Sequence, residues 1–513
     1  MHLGKNMTHN NSHTDIKSVV IAGGGTAGWM TAAGLCSVLS SLNLKITLVE
    51  SKQIGTVGVG EATLPHIRFY NQKLGIDENE LMKATKATYK LGIEFKDWGK
   101  LGDSYIHPFG DYGLPEQLGA KNSFHHYVTQ VENSGRKLNF DDFSLPVVAA
   151  RQGRFQYPHP DQSNVLSTFG YAYQFDAGLY AKFLRKFCEK RDVKRVEGKI
   201  NAVQQNAQTG NIESLTLEDG QTLSADFFID CTGFRGLLIS ETLKTPYQDW
   251  TKYLPCNRAV TAACESKGPI LPYTRATAKE AGWQWRIPLQ HRVGNGYVYS
   301  SEFISDEDAE ASMLADLETP QISDAKRLRF TTGQRQNAWV KNCVAIGLSG
   351  GFLEPLESTG IYLIQEAITN FIELFPTNQN SKVARGEYNR IMNLEFERVR
   401  DFLLLHYVAT TRSDTPFWRH LTAMDLPDSL GHKMDLFKST GRVVTYETGA
   451  FKVASWLSVY YGQNITPEHA TPLSESLSME SLENILKETK STISGAVSTM
   501  PSHETFIDQH CRA

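Results

Sequence analysis

The sequence has no CxxC pair and no cluster of cysteines with histidines, since its seven cysteines are scattered singly. An odd, dispersed count predicts reduced thiols in a cytoplasmic protein rather than disulfides or zinc sites. No apolar run reaches the ~18 residues of a membrane helix. The net charge of −4, with mixed signs and no basic stripe, excludes an electrostatic footprint for nucleic acid or a membrane surface. We therefore expect no metal, nucleic-acid or membrane partner.

What the sequence does have is a nucleotide-binding pattern over residues 18–50. An apolar run predicts a β-strand, GGGTAG at 23–28 predicts a turn and a helix start, and a second apolar run ends at Glu50. In such a βαβ unit Gly23 makes the tight turn, Gly25 lets backbone amides approach a pyrophosphate, and Gly28 lets helix and strand pack closely. Glu50 is then placed to accept hydrogen bonds from ribose hydroxyls.

Two later segments favour a flavin over a simple NAD cofactor. The glycine-rich run at 55–65 suits a strap against a flat ligand, although an ordinary strand-to-helix connection is the alternative. A buried strand from Phe227 ends in Asp-x-Thr-Gly at 230–233, which lets backbone approach the same dinucleotide from the other side of the sheet.

Three further candidate site residues, Lys90, His107 and Phe109, lie between the glycine-rich run and residue 110. Asp77 and Glu80 form a capping-box pattern, and period-two alternation follows from Tyr89, so Lys90 lies near a helix-to-strand junction. A solvated side chain is the usual outcome for a lysine there. His107 and Phe109 are two apart and face the same way in an extended chain, where they would flank a planar substrate or form a core pair.

The segment GWQWRIP at 282–288 predicts a strand with both Trp283 and Trp285 on one face. Ile287 continues that face and Pro288 closes the strand. The rings could be plain core, but beside a flavin site they make a pocket wall together with Ile287 and Pro288.

A buried strand at 343–347 leads into GGFLEPLESTGI and then a helix with apolar residues at helical spacing. Ser358 or Thr359 is the predicted N-cap. The free amides of Thr359 and Gly360 offer an anion site at the helix N-terminus. Glu357 stands just ahead of it, where it could simply complement the helix dipole.

With these segments in hand, the chain resembles the flavin-dependent tryptophan halogenase family from residue 19 to near its C-terminus. The resemblance is carried by GGGTAG at 23, VGVGEATLP at 57, the lysine of ATYKLGI, GWQWRIP at 282 and GGFLEPLESTGI at 350. It implies an α/β fold: a Rossmann-type FAD-binding domain of the flavin monooxygenase kind, with a β-sheet substrate region and a C-terminal helical subdomain.

The resemblance also implies a mechanism. FADH2, delivered by a separate NAD(P)H-dependent flavin reductase, would react with O2 to a flavin hydroperoxide, and chloride or bromide held by Thr359 and Gly360 would be oxidised to hypohalous acid. Lys90 would carry or orient this reagent, and Glu357 would polarise it or take the arene proton. The expected substrate contacts are His107, Phe109 and Phe451. The expected cofactor contacts are Gly23, Gly25, Thr26, Ala27, Gly28, Glu50, Val59, Gly60, Glu61, Ala62, Leu348, Gly360 and Ile361.

One departure leaves the substrate open. The tryptophan enzymes hold the amino-acid backbone with a Tyr and a Glu several residues apart, but here Tyr446 and Glu447 are adjacent and point about 100° apart on a helix. Indole or another small aromatic is thus at least as well supported as tryptophan. A single-component FAD aromatic monooxygenase and a non-catalytic flavin-binding protein are the alternative functions.

The domain organisation follows from the same segments. Residues 1–15 form a polar tail that we expect to be flexible and that lacks a signal-peptide apolar region. Residues 16–377 form the FAD-binding and catalytic module, with the substrate-region sheet inserted at about 240–335, and 378–513 form a mostly helical module that covers the substrate. A homodimer is one assembly open to such a chain.

Overall fold

The computed structural model describes residues 15–53, 60–118, 123–378, 381–446, 448–472 and 474–513. Nearly all of the expected tail, the first part of the glycine-rich strap with Val59, and Glu447 lie outside the described residues. Within these ranges no helix is both long enough and apolar enough to cross a membrane. The seven cysteines all fall inside them and are free thiols.

The strands are short, with two to seven residues each. In chain order they are β1 (Ser18–Ala22), β2 (Lys45–Glu50), β3 (Gly60–Ala62), β4 (Thr88–Lys90), β5 (Gly92–Lys96), β6 (Ser104–Pro108), β7 (Ala172–Asp176), β8 (Lys194–Glu197), β9 (Ile200–Gln205), β10 (Ile212–Leu217), β11 (Thr222–Ser224), β12 (Phe227–Asp230), β13 (Tyr247–Asp249), β14 (Arg258–Cys264), β15 (Tyr273–Lys279), β16 (Gly282–Pro288), β17 (Val293–Tyr299), β18 (Lys326–Arg329), β19 (Gly333–Arg335), β20 (Trp339–Val340), β21 (Cys343–Ala345) and β22 (Gly351–Phe352).

The helices are concentrated toward the C-terminal end of the chain. They are α1 (Thr26–Val38), α2 (His66–Lys73), α3 (Glu78–Thr85), α4 (His125–Asn133), α5 (Leu145–Arg151), α6 (Ala177–Glu189), α7 (Asp306–Ala315), α8 (Thr359–Glu373), α9 (Lys382–Val408), α10 (Pro416–Thr422), α11 (Asp428–Thr440), α12 (Val453–Gly462), α13 (Met479–Thr499) and α14 (His503–His510).

A six-stranded sheet in the order β20-β21-β12-β1-β2-β8 forms the nucleotide-binding part of the fold. Apart from the antiparallel edge strand β20, all its pairings are parallel. Ala22 pairs with Asp230 on one side and with Val49 on the other. The glycine turn, the Asp-x-Thr-Gly segment and Glu50 therefore meet at the carboxyl edge of the sheet, where a doubly-wound fold binds its ligand.

A seven-stranded sheet in the order β18-β14-β17-β16-β15-β5-β6 combines five strands from the predicted insertion at about 240–335 with β5 and β6, which precede it in the chain. Its strand β16 carries the two tryptophans, and its edge strand β6 carries His107. A small sheet of β3, β7 and β4 lies beside it, and there Lys90 pairs with Ala172. The α/β fold with a Rossmann-type domain and a β-sheet region is thus as predicted.

Helices α9 to α14 all lie after residue 381, as expected for the predicted C-terminal helical subdomain. Helix α9 packs on α8 and α12, while α13 packs on α4 and α5. One hydrophobic core includes residues from Ile16, just before β1, to Cys511, near the end of the chain. The boundary at 377/378 stays a prediction.

The tight packing of Gly28 yields a testable prediction. A Cβ at Gly28 would lie 1.9 Å from the carbonyl oxygen of Gly23, whereas a Cβ at Gly25 would meet nothing within 4 Å. Gly28→Ala should therefore destabilise the apoprotein by about 1–3 kcal/mol, the usual cost of overpacking. Gly25→Ala, the matched control, should melt like the wild type. Equal melting temperatures for all three proteins in thermal denaturation would contradict this account of the turn.

Candidate active site

A cavity of about 840 Å³ opens at the carboxyl edge of the six-stranded sheet. It is within the size range of cofactor sites. Eleven of the thirteen predicted cofactor contacts line it: Gly23, Gly25, Thr26, Ala27, Glu50, Gly60, Glu61, Ala62, Leu348, Gly360 and Ile361. Of the other two, Gly28 faces the turn rather than the cavity, and Val59 falls outside the described residues.

The nucleotide end of this cavity has the features that a pyrophosphate needs. Gly23 has φ +108°, a backbone conformation that suits glycine. Gly25 is the N-cap of α1 and leaves open space where a side chain would stand. The helix N-terminus favours an anion there. Glu50 accepts from the Trp29 indole at 3.3 Å and pairs with the Arg195 guanidinium, so its carboxylate is held at the cavity's edge.

The tryptophan strand forms one wall of the same cavity. Trp283, Trp285 and Ile287, each two residues apart, line it, with 6.0 Å between the two indole centres. Pro288 lies outside the lining: it follows Ile287 on the opposite face of the strand, and its carbonyl accepts from the Thr88 hydroxyl. Behind the wall, the buried carboxyl of Glu354 lies 3.5 Å from the Trp283 indole nitrogen, and burial raises the pKa of Glu354 to about 7.

The first turn of α8 lies beside this wall and carries the predicted halide residues. Thr359 is fully buried, and Gly360 lines the cavity. Ser358 stands at the N-cap position, as predicted, but with φ 59° and ψ 33° and without a capping hydrogen bond from its side chain. Its hydroxyl instead accepts a hydrogen bond from a residue that is distant in the sequence.

That residue is Lys90, which is fully buried rather than solvated. Its ammonium donates to the Ser358 hydroxyl at 2.9 Å and to the Thr63 carbonyl at 3.1 Å. The Phe109 ring centre lies 5.0 Å away. Burial lowers the pKa of Lys90, and the nearby carboxylate of Glu357 partly opposes this, which leaves the pKa at about 7.

Glu357 is equally buried and faces two histidines. Its Oε2 lies 2.8 Å from Nδ1 of His107, and its Oε1 lies 2.8 Å from Nε2 of His406. The second contact is short but lacks the angles of a hydrogen bond, so its effect is electrostatic. Burial raises the pKa of Glu357, but the His107 and His406 imidazoles outweigh it and lower the pKa to about 2.

The tautomer of His406 follows from its other contact. Its Nδ1 lies 2.8 Å from the carbonyl oxygen of Phe402, which can only accept, so Nδ1 carries a hydrogen. The hydrogen bond to the Phe402 carbonyl therefore fixes the ring so that Nε2 faces Oε1 of Glu357.

The predicted substrate contacts lie together next to this carboxylate. The ring centres of His107 and Phe109 are 6.3 Å apart, and His107 is 6.1 Å from Phe451. Phe451 stacks on Phe402 at 3.8 Å. The structure thus gathers all three predicted residues in one aromatic cluster, although the polar edge of His107 is occupied by Glu357.

Sequence reasoning missed two residues of this arrangement. His406 lies in α9 with no local motif around it, and only its distance from Glu357 reveals it. Ser358 was predicted as a helix cap, which gave no sign of its bond to Lys90. The buried partners of Glu357 come from β6 and α9, so only the tertiary structure brings them together.

The fold and site are those of an enzyme that binds a flavin dinucleotide. Its cavity is lined by two tryptophans, and a buried lysine and a buried glutamate lie close to it. The family model described as tryptophan halogenase matches residues 18–479. Tryptophan 6-halogenase SttH of Streptomyces toxytricini is 38% identical, covering 82% of this chain and 83% of its own. The chain therefore belongs to the tryptophan halogenase family and is a flavin-dependent halogenase.

Solved structures agree with this assignment. Xcc4156, a flavin-dependent halogenase from Xanthomonas campestris, superposes with a TM-score of 0.93 at 44% identity, covering 97% of this chain and 99% of its own. BrvH, a flavin-dependent halogenase from Brevundimonas sp. BAL3, has the same TM-score and coverage at 41% identity.

The coupling between Lys90 and Glu357 can be tested by titration. Glu357→Gln removes the negative charge that supports the ammonium, so the pKa of Lys90 should fall below its value of about 7. The measurement is NMR of ¹³Cε-labelled lysine, with the Lys90 signal assigned from Lys90→Arg. A wild-type Lys90 signal that titrates near the ordinary pKa of a solvated lysine, or one unmoved by Glu357→Gln, would contradict the geometry.

Proposed function

We propose that this enzyme halogenates a free, electron-rich arene of the indole type through a relay from the flavin cavity to Lys90. One observation carries the proposal: the fully buried ammonium of Lys90 is bonded to Ser358, which itself lines the flavin cavity. Lys90 is therefore one hydrogen bond from the cavity wall, and its partner Ser358 directly follows Glu357 in the chain.

The cofactor would occupy the cavity described above, where the residues fit FAD. The pyrophosphate would lie against Gly23, Gly25 and the N-terminus of α1, and Glu50 would accept from the ribose. Reduced FAD, supplied by a separate NAD(P)H-dependent reductase, would provide with O2 the oxidant that converts a halide to hypohalous acid.

The halide would bind at the amides of Thr359 and Gly360. A helix N-terminus attracts an anion through its unpaired N–H groups and the dipole. It does so with neutral amide groups, which hold the halide less tightly than a directly bound cation would. Chloride and bromide both meet this requirement.

Lys90 would receive the oxidised halogen. Near pH 7 a large fraction of the enzyme molecules carry Lys90 as a neutral amine, because burial lowers its pKa to about 7. The amine nitrogen attacks the halogen of hypohalous acid, which breaks the O–halogen bond and releases water to give a haloamine. In its protonated form the same group orients hypohalous acid by a hydrogen bond.

Glu357 would act on the arene. Its low pKa keeps it ionised, so it can polarise the halogenating agent or take the ring proton after the carbon–halogen bond forms. His107 and His406 lie against its two oxygens and hold the carboxylate in place.

The tryptophan wall would separate the oxidant from the substrate. Trp283 and Trp285 are buried and line the cavity. By filling that wall they would keep the arene away from the flavin, so that it meets the halogenating agent at Lys90. The arene itself would pack against the rings of His107, Phe109 and Phe451.

Lys90→Ala tests the relay directly. Arene bromination should fall by roughly 10²- to 10⁴-fold, while hypobromous acid still forms and reacts with monochlorodimedone as an external trap. Lys83→Ala, which removes an exposed lysine of α3, is the matched control and should keep full activity. Full bromination by the Lys90→Ala enzyme would refute the role of Lys90.

The same assay, run with and without bromide and read by product mass, distinguishes the alternative functions. A hydroxylated arene formed independently of bromide would indicate a monooxygenase. Absence of both products and of hypobromous acid would indicate a flavin-binding protein without this catalysis.

The pH dependence follows from the lowered pKa of Lys90. Above a pKa of about 7 the neutral amine predominates, so the rate of arene bromination should rise as pH increases through 7 and level off above it. Single-turnover bromination by enzyme preloaded with reduced FAD, measured from pH 6 to 9, gives this profile. A rate that falls across the same interval would show that the ammonium is the active form.

A further inference from the structure

The cavity that contains the predicted flavin site continues along helix α8. Leu363, Ile364 and Ala367 line it, and they follow Gly360 on one face of the helix, because residues three, four and seven apart share a face. At 1.5 Å per residue, Ala367 lies about 10 Å along the helix from Gly360. The cavity therefore extends well beyond the amides that are predicted to bind halide.

The opposite wall of this extension is a stripe of helix α9, which packs on α8. Tyr388, Met392 and Phe396 line the cavity at intervals of four residues and so share a face of α9. Phe396 lies at the flavin end, because its ring is 2.7 Å from the position that a Cβ on Gly351 would occupy. Tyr388 lies at the far end, where its ring centre is 5.6 Å from that of Trp339. We call the space between these two helix faces the interhelical branch.

The far end of the interhelical branch lies close to the protein surface. Ala338, which precedes Trp339 in the chain, also lines the cavity. Ala338 is half-buried, and Asn337 before it is exposed. The branch thus runs from near the surface to the flavin site, and it leads away from Lys90, whose partner Ser358 stands at the N-terminus of α8.

The lining of the branch is apolar and buried. None of its seven side chains carries a charge, and the six from α8 and α9 are at most 9% exposed. Their one hydroxyl, that of Tyr388, has no hydrogen-bond partner among the described residues. An ion or a strongly polar molecule would lose its hydration here and gain few partners in return. Dry apolar cavities of proteins instead take up small apolar molecules, of which xenon is one.

We propose that the interhelical branch admits O2 to the reduced flavin. Among the reactants of the proposed halogenation, FADH2 has its place in the main part of the cavity, the halide is an anion, and the arene has its predicted place beside His107. O2 is small, uncharged and apolar, so an apolar lining costs it little. This inference rests on the proposed function and adds the route by which one of its reactants arrives.

Xenon tests whether the branch takes up a small apolar molecule. Crystals of the FAD-loaded enzyme pressurised with xenon should show an anomalous peak between Ala367 and Met392. The peak should vanish in Ala367→Phe, whose ring would occupy the same space. A wild-type branch that stays free of xenon, or one that is filled by FAD itself, would overturn the proposal.

Flavin reoxidation measures the delivery of O2 itself. Enzyme in excess over FADH2 is mixed anaerobically with it and then with buffers of increasing O2 concentration, and the flavin absorbance gives the second-order rate constant. In Ala367→Phe this constant should fall roughly tenfold or more, because O2 can then pass only if an overpacked side chain is displaced. Met392→Ala widens the branch and should keep the constant at or above that of the wild type. Val383→Phe adds the same ring at a position of α9 that is 88% exposed and should match the wild type.

An unchanged rate constant in Ala367→Phe would show that O2 arrives by another route. The affinity for FAD, measured by fluorescence titration, should be the same in Ala367→Phe and the wild type. A loss of FAD affinity in proportion to the loss of rate would make the branch part of the cofactor site and would also overturn the proposal. If Ala367→Phe does not fold, Ala367→Leu takes its place, with a smaller decrease in rate expected.

The reoxidation assay contains neither arene nor halide, so it separates this inference from the function on which it rests. If Ala367→Phe slows reoxidation but the wild type brominates no arene, the proposed function fails while the O2 route stands. If the wild type brominates its arene and Ala367→Phe reoxidises at the wild-type rate, the function stands and the O2 route fails.

Discussion

The hydrogen bond between Lys90 and Ser358 is the interaction on which the arrangement of the site depends. Ser358 adopts a left-handed backbone conformation, which is uncommon for a residue with a side chain and persists only where the surroundings fix it. A serine at an N-cap usually bonds its own helix. Here its hydroxyl instead accepts from Lys90 at 2.9 Å, and this ties strand β4 to the start of α8.

In this single turn of chain, the four consecutive residues 357–360 serve three different parts of the site. Glu357 faces the aromatic cluster, Ser358 faces Lys90, and the amides of Thr359 and Gly360 begin the helix beside the flavin cavity. Burial favours the neutral form of both charged groups. It lowers the pKa of Lys90 to about 7. At Glu357 the imidazoles of His107 and His406 outweigh burial and keep the carboxylate ionised. A reactive amine and a carboxylate base can therefore coexist near neutral pH.

Local sequence patterns predicted the nucleotide-binding part well, because its chemistry is written in adjacent residues. The strand, glycine turn, helix and acid at 18–50 follow one another in the chain, and the structure has them in that order. Alternation likewise predicted that Trp283 and Trp285 share a face. Pro288 was grouped with them from the motif, although the same alternation turns it to the opposite face, where it bonds Thr88.

The catalytic part could not be read from local patterns in the same way. Position alone favoured a solvated Lys90, and only the family resemblance indicated its role. His406 is far from Glu357 along the chain and lies in no motif. Its environment arises because α12 packs on β6 and α9 packs on α12, which no periodicity reveals.

Anomalous diffraction from crystals of the FAD-loaded enzyme soaked in bromide tests the central arrangement most directly. The account predicts a bromide peak at the Thr359 and Gly360 amides, with the Lys90 ammonium still bonded to Ser358 next to it. Bromide bound away from the α8 N-terminus, or a Lys90 side chain turned to solvent, would contradict it.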